Sequence, residues 1–434
     1  MSASFDLVIL GGGCAGLSLA SRLSALGSKC PKVAIVESRS DYQHDRSWCF
    51  FKDPQAPAPA LQTAPYIQAT PLVQKPGANN SPPAEPSELP SAQHAWQSMR
   101  ITTATSAIVI DCGAMPYQML HSGQFYRDAQ DAIAQTGQLK LLLGTSVANP
   151  PTKRGELWQV DTSAGLLQSR YVVDTRPVKR PEIGGATLWQ SFYGQEIECA
   201  VDVFDAACGD LMDFSAAEQC GGLLAFPDAV SFVYVLPMSP RRALIEFTVF
   251  GPSPLSPDAF YELQAKAVAQ RVGNKTFAVV RTEHGILPMG VKPAPPSLDS
   301  SYIFAGLTAG GARPSSGYAF ARIQRWAQAC ADAIAIGNPP VGHAADGVVL
   351  RAMDALFLKV VRAHPHVAPD LFLALFAGAN TRRVIQFLSD RASLADYAAV
   401  VAALLPKPLL RALAGQRSVK LNRAVAFDEP HPIE

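Results

Sequence analysis

The sequence predicts an α/β protein in which a Rossmann-type dinucleotide-binding domain carries an antiparallel sheet and ends in a helical region. Three observations lead there. A short apolar run, a Gly11-x-Gly13-x-x-Gly16 turn and a helical stretch open the 434-residue chain. Segments rich in β-formers, joined by a short polar connection, fill its middle, and apolar residues at helical spacing dominate after Pro340. A chain of this length has room for two or three units of roughly 150 residues each.

From the N-terminus, Phe5 to Leu10 form a buried strand that meets the glycines, and Leu17 to Leu26 has helical periodicity. Lys32 to Glu37 reads as a second buried strand, parallel to the first by the right-handed crossover rule. From Asp53 to Gln93 the pattern breaks, because ten prolines between Pro54 and Pro90 and little aliphatic periodicity predict an exposed insertion without packed elements. A strand at 108–111, a helix over 117–135 and strands near 140–143, 158–161 and 171–174 continue the α/β alternation. Ser231 to Leu236 and Ala243 to Phe250 are β-rich, and Pro237-Met-Ser-Pro-Arg-Arg between them reads as a hairpin connection. Ser301 to Ala305 is a further strand, and Gly306 to Gly317 is a glycine-rich turn ahead of a helix over 318–336, where the dinucleotide domain resumes. Clusters at 355–361, 371–376 and 398–405 mark helices beyond it. The expected division is 1–189 and 301–345 for the cofactor domain, 190–300 for a substrate-binding sheet domain and 346–434 for a helical C-terminal region.

Composition narrows the function classes. With 37 Lys and Arg against 36 Asp and Glu, a formal charge of +1 and 17% charged residues, no polyanionic partner is expected, which disfavours nucleic acid. Eight cysteines run from Cys14 to Cys330 without a C-x-x-C pair, so they read as structural thiols and no metal is expected. The first strand starts within about five residues of Met1, leaving no room for a signal peptide, and a cytoplasmic location is expected. No apolar run reaches the 18 or so residues needed to cross a bilayer, so contact with a membrane would be peripheral.

The glycine turn stands between strand and helix, where bare backbone approaches a pyrophosphate and the N–H groups of the helix start bind it. Glu37 ends the second strand at the place where a carboxylate accepts from a ribose hydroxyl. The position of the motif at the N-terminus points to FAD rather than NAD.

Several further blocks share one family's pattern: Asp45-Arg-Ser-Trp-Cys-Phe50, Leu188-Trp-Gln-Ser-Phe-Tyr-Gly194, Leu211-Met-Asp-Phe214 and Tyr234-Val-Leu-Pro237. Leu244-Ile-Glu-Phe-Thr248, Glu283-His-Gly-Ile-Leu-Pro-Met289 and Gly310-Gly-Ala-Arg-Pro-Ser-Ser-Gly-Tyr318 extend it. With these blocks in order over about three quarters of its length, the chain resembles the flavin-dependent lycopene cyclases of the bacterial beta-cyclase type. The resemblance implies FAD in a para-hydroxybenzoate-hydroxylase-like fold, active in its reduced form, with NAD(P)H serving only to prime the flavin. It implies an isomerase that converts lycopene or a related acyclic carotenoid to beta-carotene through gamma-carotene with no net redox change. A substrate that insoluble in water implies peripheral association with the inner face of the membrane.

Cyclising a ψ end group requires a proton at C2, attack of the 5,6 double bond on the C1 cation and loss of a proton from C6. Glu246 is the leading acid, since alternation along Ala243 to Phe250 sets it on one face with Leu244 and Thr248, and its block resembles the family's acidic signature. Where the family often has a second acid this chain has Phe247, so a single carboxylate, assisted by reduced flavin, is expected to suffice; Glu283 is a second candidate for the same cavity. Expected cofactor contacts are Gly11, Gly13, Gly16, Glu37 and Arg46, with Gly306, Gly310, Gly311, Pro314 and Ser316 from the glycine-rich turn, where Arg313 supplies positive charge. Trp48, Phe50, Trp189, Phe192 and Tyr193 are expected to line the polyene tunnel. A flavin reductase or hydroxylase in the same fold, and a carotenoid-binding protein that does no chemistry, are the competing readings.

Overall fold

A computed structural model of the chain describes residues 3–52, 92–177, 185–291, 297 and 299–404. The proline-rich stretch 53–93 lies outside the described residues except for its last two.

β1 (Ala3–Leu10), α1 (Cys14–Ser24) and β2 (Val33–Val36) form the expected βαβ unit, with the two strands parallel. Period-two alternation gives β1 two buried faces: Leu7 and Ile9 pack with Leu17, Leu19 and Leu23 of α1, whereas Val8 and Leu10 join Val160, Val172 and Tyr302 on the other side. β3 (Ser47–Phe51), β4 (His94–Trp96), β5 (Ser98–Thr102), β6 (Ala107–Asp111), β7 (Tyr117–His121) and α2 (Ser122–Ala134) follow. β8 (Leu139–Leu142), β9 (Thr152–Arg154), β10 (Leu157–Thr162) and β11 (Gly165–Asp174) complete the first half. The cofactor-side sheet runs β8-β2-β1-β11-β10-β9.

Two expectations fail in this half. The strand at 108–111 exists as part of β6, but β6 pairs with β5, and both belong to the antiparallel sheet rather than the cofactor-side one. The helix expected over 117–135 begins only at Ser122, because 117–121 is drawn into β7, which pairs with β3 on one side and β4 on the other. Long-range strand pairing overrides local helical spacing there.

The second half supplies β12 (Leu188–Cys199), β13 (Cys208–Asp213), α3 (Phe214–Gln219), α4 (Gly222–Ala225), β14 (Val230–Pro237), β15 (Arg242–Gly251), α5 (Tyr261–Val272) and β16 (Phe277–Met289). The expected hairpin is β14–β15, with Pro237 opposite Ala243. The sheet order is β16-β12-β15-β14-β13-β5-β6. Alternation along β15 decides which side chains do what: Ala243, Ile245, Phe247 and Val249 pack towards α3 and α5, while Leu244 and Phe250 join the cluster on the opposite face. Phe247 is fully buried, and truncating it to alanine costs about 3–5 kcal/mol by the usual cavity penalty.

β17 (Tyr302–Phe304) returns to the cofactor-side sheet beside β11, and α6 (Phe320–Ala335) packs on α1. α7 (Val348–Ala363), α8 (Ala368–Gly378), α9 (Thr381–Leu388) and α10 (Leu394–Leu404) follow. These helices cover the even-numbered face of the antiparallel sheet, with Phe372 stacked near Phe214 and Phe250. No helix among the described residues is long and apolar enough to cross a membrane.

Candidate active site

One cavity of about 970 Å³ runs from the glycine turn of α1, past β3, across the face of the antiparallel sheet to α7–α10. At its first end Gly11 has a positive φ of +95°, and a Cβ on Gly16 would overlap the Gly11 carbonyl oxygen, so both positions require glycine. Gly13 caps α1 with no side-chain bond to the helix start, and open space lies beyond its Cα. The first N–H groups of a helix lack intrahelical partners, which is the arrangement that suits an anion at such a turn. Glu37 accepts from the Gly12 N–H at 2.7 Å and from Arg39 Nε at 3.1 Å. Burial pushes its carboxyl up, but the Arg39 and Gly12 donors outweigh burial and hold it below the usual range. Arg46 and Gly306 line the same end, as do Ser316 and Trp48.

The chemistry of the far end comes from strand register. Gly194 on β12 stands opposite Glu246 on one side and opposite Glu283 on the other. Tyr234 in turn opposes Glu246 from β14. Directly opposed residues share a face, so Tyr234, Glu246, Gly194 and Glu283 form a single row across four strands. Glycine at 194 is what lets the two acids converge: a Cβ there would stand 3.3 Å from Glu246 Cβ and 3.4 Å from Glu283 Cγ. Glu246 and Glu283 are 8% and 4% exposed.

Their partners differ. Glu283 receives the Arg281 guanidinium, and Ser47 Oγ donates to it at 3.1 Å. Arg281 is itself braced by Glu196 at 2.6 Å, which also takes Arg242. Glu246 has only the Thr248 hydroxyl, at 2.6 Å. Burial first, and the charge of Glu283 second, push Glu246 up to about 8. Burial also raises Glu283, against the opposing pull of Arg281 and Ser47. Within the pair the proton is favoured on Glu246, because the Arg281 guanidinium and the Ser47 hydroxyl favour the charged form of Glu283. The second candidate acid, Glu283, thus reaches the same cavity from β16, while position 247 points to the other face, against α5.

Other expected residues divide by geometry. Phe192 lines the cavity, but Trp189 and Tyr193, one position out of phase on β12, do not; Tyr193 packs on Tyr261 behind the sheet, with ring centroids 5.2 Å apart. Phe50 is 5% exposed and stacks on Phe320 in the core of the cofactor side, out of the cavity. Gly310, Gly311 and Pro314 shape the turn from behind: the first two abut His343, and Pro314 accepts from Gly290 N–H at 3.1 Å. Arg313 does not face the cofactor end; it is 1% exposed, pairs with Asp354 of α7 at 3.0 Å and stacks over Phe387 of α9, fastening the turn to the C-terminal helices. The sequence reading missed Arg281, Ser47, Thr248 and a cluster of three phenols, Tyr117, Tyr234 and Tyr318, whose oxygens meet at 3.0 and 3.5 Å. The aliphatic and aromatic lining from Phe357, Phe372, Leu375 and Phe376 was also missed. Tyr234 and Phe376 sit inside stretches already marked as a family block and a helix, which was the available signal.

Behind the row, His44, His121 and Glu196 gather within 4.8 Å of one another. A cation is poorly served there, since Glu196 already carries two guanidiniums and the Gly123 N–H donates to His44 Nδ1, leaving the proton on Nε2.

The fold recurs in distantly related solved structures. A geranylgeranyl bacteriochlorophyll reductase-like protein from Thermoplasma acidophilum aligns with a TM-score of 0.57 at 11% identity, covering 95% of this chain and all of that one. The p-nitrophenol 4-monooxygenase of Pseudomonas putida aligns at 0.52 and 12%, covering 98% of each chain. The Diels-Alderase of pyrroindomycin biosynthesis aligns at 0.54 and 14%, over 91% of this chain and 81% of its own. The architecture is therefore the para-hydroxybenzoate-hydroxylase-like one. No curated protein matches the sequence. The family model described as lycopene cyclase protein matches residues 6–414, nearly the whole length, and on that span the chain belongs to the lycopene cyclase family.

Proposed function

We propose that this cavity closes the ψ end groups of lycopene to β-rings, giving beta-carotene by way of gamma-carotene without net oxidation or reduction. The observation that carries the proposal is the carboxylate pair, Glu246 and Glu283, brought together by register and buried in a largely apolar cavity that continues to the glycine turn of α1. Glu246 gives its proton to C2, leaving the positive charge at C1. The 5,6 π pair forms the C1–C6 bond and the charge passes to C5. Glu283, whose charged form Arg281 and Ser47 favour, takes the proton from C6, and the C–H bonding pair becomes the new 5,6 double bond. The proton then returns across the pair to Glu246, so each turnover ends as it began.

The donor set fits FAD: Gly11, Gly13 and the open start of α1 suit a pyrophosphate, Glu37 suits a ribose hydroxyl, and Arg46, Gly306 and Ser316 line the path towards the row. When bound in its reduced state, with NAD(P)H as the expected reductant, FAD would add negative charge beside a cationic intermediate. Water is excluded by Phe192 and the helix side chains Phe357, Phe372 and Phe376. Uptake of a water-insoluble polyene from the cytoplasmic face of a membrane is supported by α7, which turns Met353 and Phe357 into the cavity and leaves Val348, Val349 and Leu356 on the surface.

The test is anaerobic turnover. Protein reduced once with dithionite and supplied with excess lycopene should form many equivalents of a cyclic isomer with no further reductant. One equivalent of NAD(P)H consumed per product would instead indicate a flavin reductase or hydroxylase. Bound lycopene with an unchanged absorption spectrum would indicate a carrier.

A further inference from the structure

We propose that Tyr234 is a further catalytic residue, the aromatic face against which the cationic end group is held between proton gain and proton loss. This rests on the cyclase reading above and names the group that site uses to stabilise charge.

Four observations converge on the ring. Tyr234 stands directly opposite Glu246, so their Cβ atoms are separated by one strand spacing on the same face, roughly 4.5–5.5 Å. The row across the sheet reads Tyr234, Glu246, Gly194, Glu283, and Tyr234 is its one aromatic member. Phe192, Phe232 and Phe250 also line the cavity, but Phe192 is two residues from Gly194 along β12, Phe232 two from Tyr234 along β14, and Phe250 four from Glu246 along β15. Beyond Tyr234 the next strand offers Leu211 and Met212 to the cavity, so no side-chain charge from that strand competes for a carbocation at this end of the row.

The hydroxyl explains why the ring is a tyrosine. Its oxygen bonds Tyr117 Oη at 3.0 Å, and Tyr318 Oη reaches the same atom at 3.5 Å, so the polar tip is anchored in the phenol cluster rather than on the carboxylates. Burial keeps all three phenols protonated, Tyr318 being pushed up to about 12 and the other two well above the usual value. None of them is a base at neutral pH. What Tyr234 offers the end group is the negative face of a neutral ring, in a desolvated site where that attraction is strongest. The charge it would face sits first at C1, after Glu246 has protonated C2, and then at C5, before Glu283 removes the C6 proton.

The experiment uses the full chain with reduced flavin and lycopene in detergent or vesicles. Tyr234→Phe keeps the ring and should retain kcat within about threefold. Replacing the same residue with phenylalanine bearing one, two and three fluorines weakens the ring's negative face stepwise. The logarithm of kcat should then fall in steps to roughly 30-fold below Tyr234→Phe, the equivalent of about 2 kcal/mol, with KM and flavin content unchanged. Tyr234→Leu should fall at least as far and release some acyclic tertiary alcohol, the product of water capturing the C1 cation. A kcat indifferent to fluorine number overturns the proposal, as does an inactive Tyr234→Phe that still binds flavin and lycopene, because the hydroxyl would then be the acting group. Should the unaltered protein form no cyclic product, the cyclase reading itself fails; should it cyclise while the fluorine series stays flat, only the role of Tyr234 does.

Discussion

Glu37 and Glu246 lie towards opposite ends of one cavity with equally little exposed surface, 7% and 8%, Glu246 being the more deeply enclosed, and their carboxyls shift in opposite directions. Burial pushes both carboxyls up. At Glu37 it is outweighed by Arg39 and the Gly12 N–H, and the group stays ionised. At Glu246 burial is reinforced by the neighbouring charge of Glu283, and the Thr248 hydroxyl and the more distant Arg281 do not offset it, so the group rises to about 8. Surface exposure alone therefore does not decide whether a buried acid serves as a fixed acceptor or as a proton store; the protein packed around it and the donors within reach do. On the proposed function, the first end of the cavity binds and the second reacts.

The sharpest way to break this contrast is Glu246→Gln. The amide keeps the volume and a hydrogen bond to Thr248 but has no proton to give. Cyclisation should fall by about 10² to 10⁴, or roughly 3–5 kcal/mol of barrier, with FAD still bound. Pigment analysis in a lycopene-producing host and purified turnover both read it. Near-normal beta-carotene from this variant would mean that the proton comes from elsewhere.

A second test follows pH in the unaltered protein. A donor at about 8 is in its acid form below that value, so kcat should be level through neutral pH and fall towards tenfold per unit above about 8. The limb should be absent from whatever activity Glu246→Gln retains. Glu37 predicts no such limb, because its carboxyl is ionised throughout the working range.

The two ends also differ in how far the sequence exposes them. The binding end is legible because β1, the glycines, α1 and β2 are contiguous, and Gly11, Gly16 and Glu37 meet through local geometry. The face of Glu246 is legible too, since alternation with Leu244 and Thr248 is a property of one strand. Glu283 could be named as a candidate, but its pairing with Glu246 could not be read: it depends on β12 lying between β15 and β16 with a glycine at the crossing point, which is a fact of register. The same ignorance of phase put Trp189 and Tyr193 in the cavity together with Phe192, although residues an odd number of positions apart on a regular strand point to opposite faces. Arg313 looked like a phosphate ligand from its glycine-rich setting, yet its partner, Asp354, lies on a helix 41 residues away.

At the binding end, Glu37→Gln should weaken FAD by about tenfold, because a charge-assisted bond to the ribose becomes a neutral one. At saturating FAD its kcat should return to within about twofold of the unaltered value. Flavin titration separates the two effects, and a kcat that stays low at saturation would show that Glu37 does more than bind.

The smallest effect is on stability, and here the contrast turns into a difference in sign. Glu246 has a folded value of about 8 against an ordinary carboxyl value near 4.5 when unfolded, so between those limits the folded state holds a proton that the unfolded state has released. Stability from this group is complete below the unfolded value and is lost as pH rises through the folded one. Glu37 works in the opposite sense: its folded value is lowered, and its contribution is lost only as pH falls through that lower value, in the acid range. Glu246→Gln removes the first dependence and leaves the second. At pH 6 the variant should therefore be more stable than the parent by about 2 kcal/mol, with the difference closing as pH falls towards the unfolded value. For a chain this long that is only about 2 °C in Tm, so the comparison is best made by denaturant titration at several pH values, with flavin saturating in both proteins. A variant less stable than the parent at pH 8 would mean that Glu246 is ionised and well solvated in the folded state, and the assignment of the shared proton to it would have to be given up.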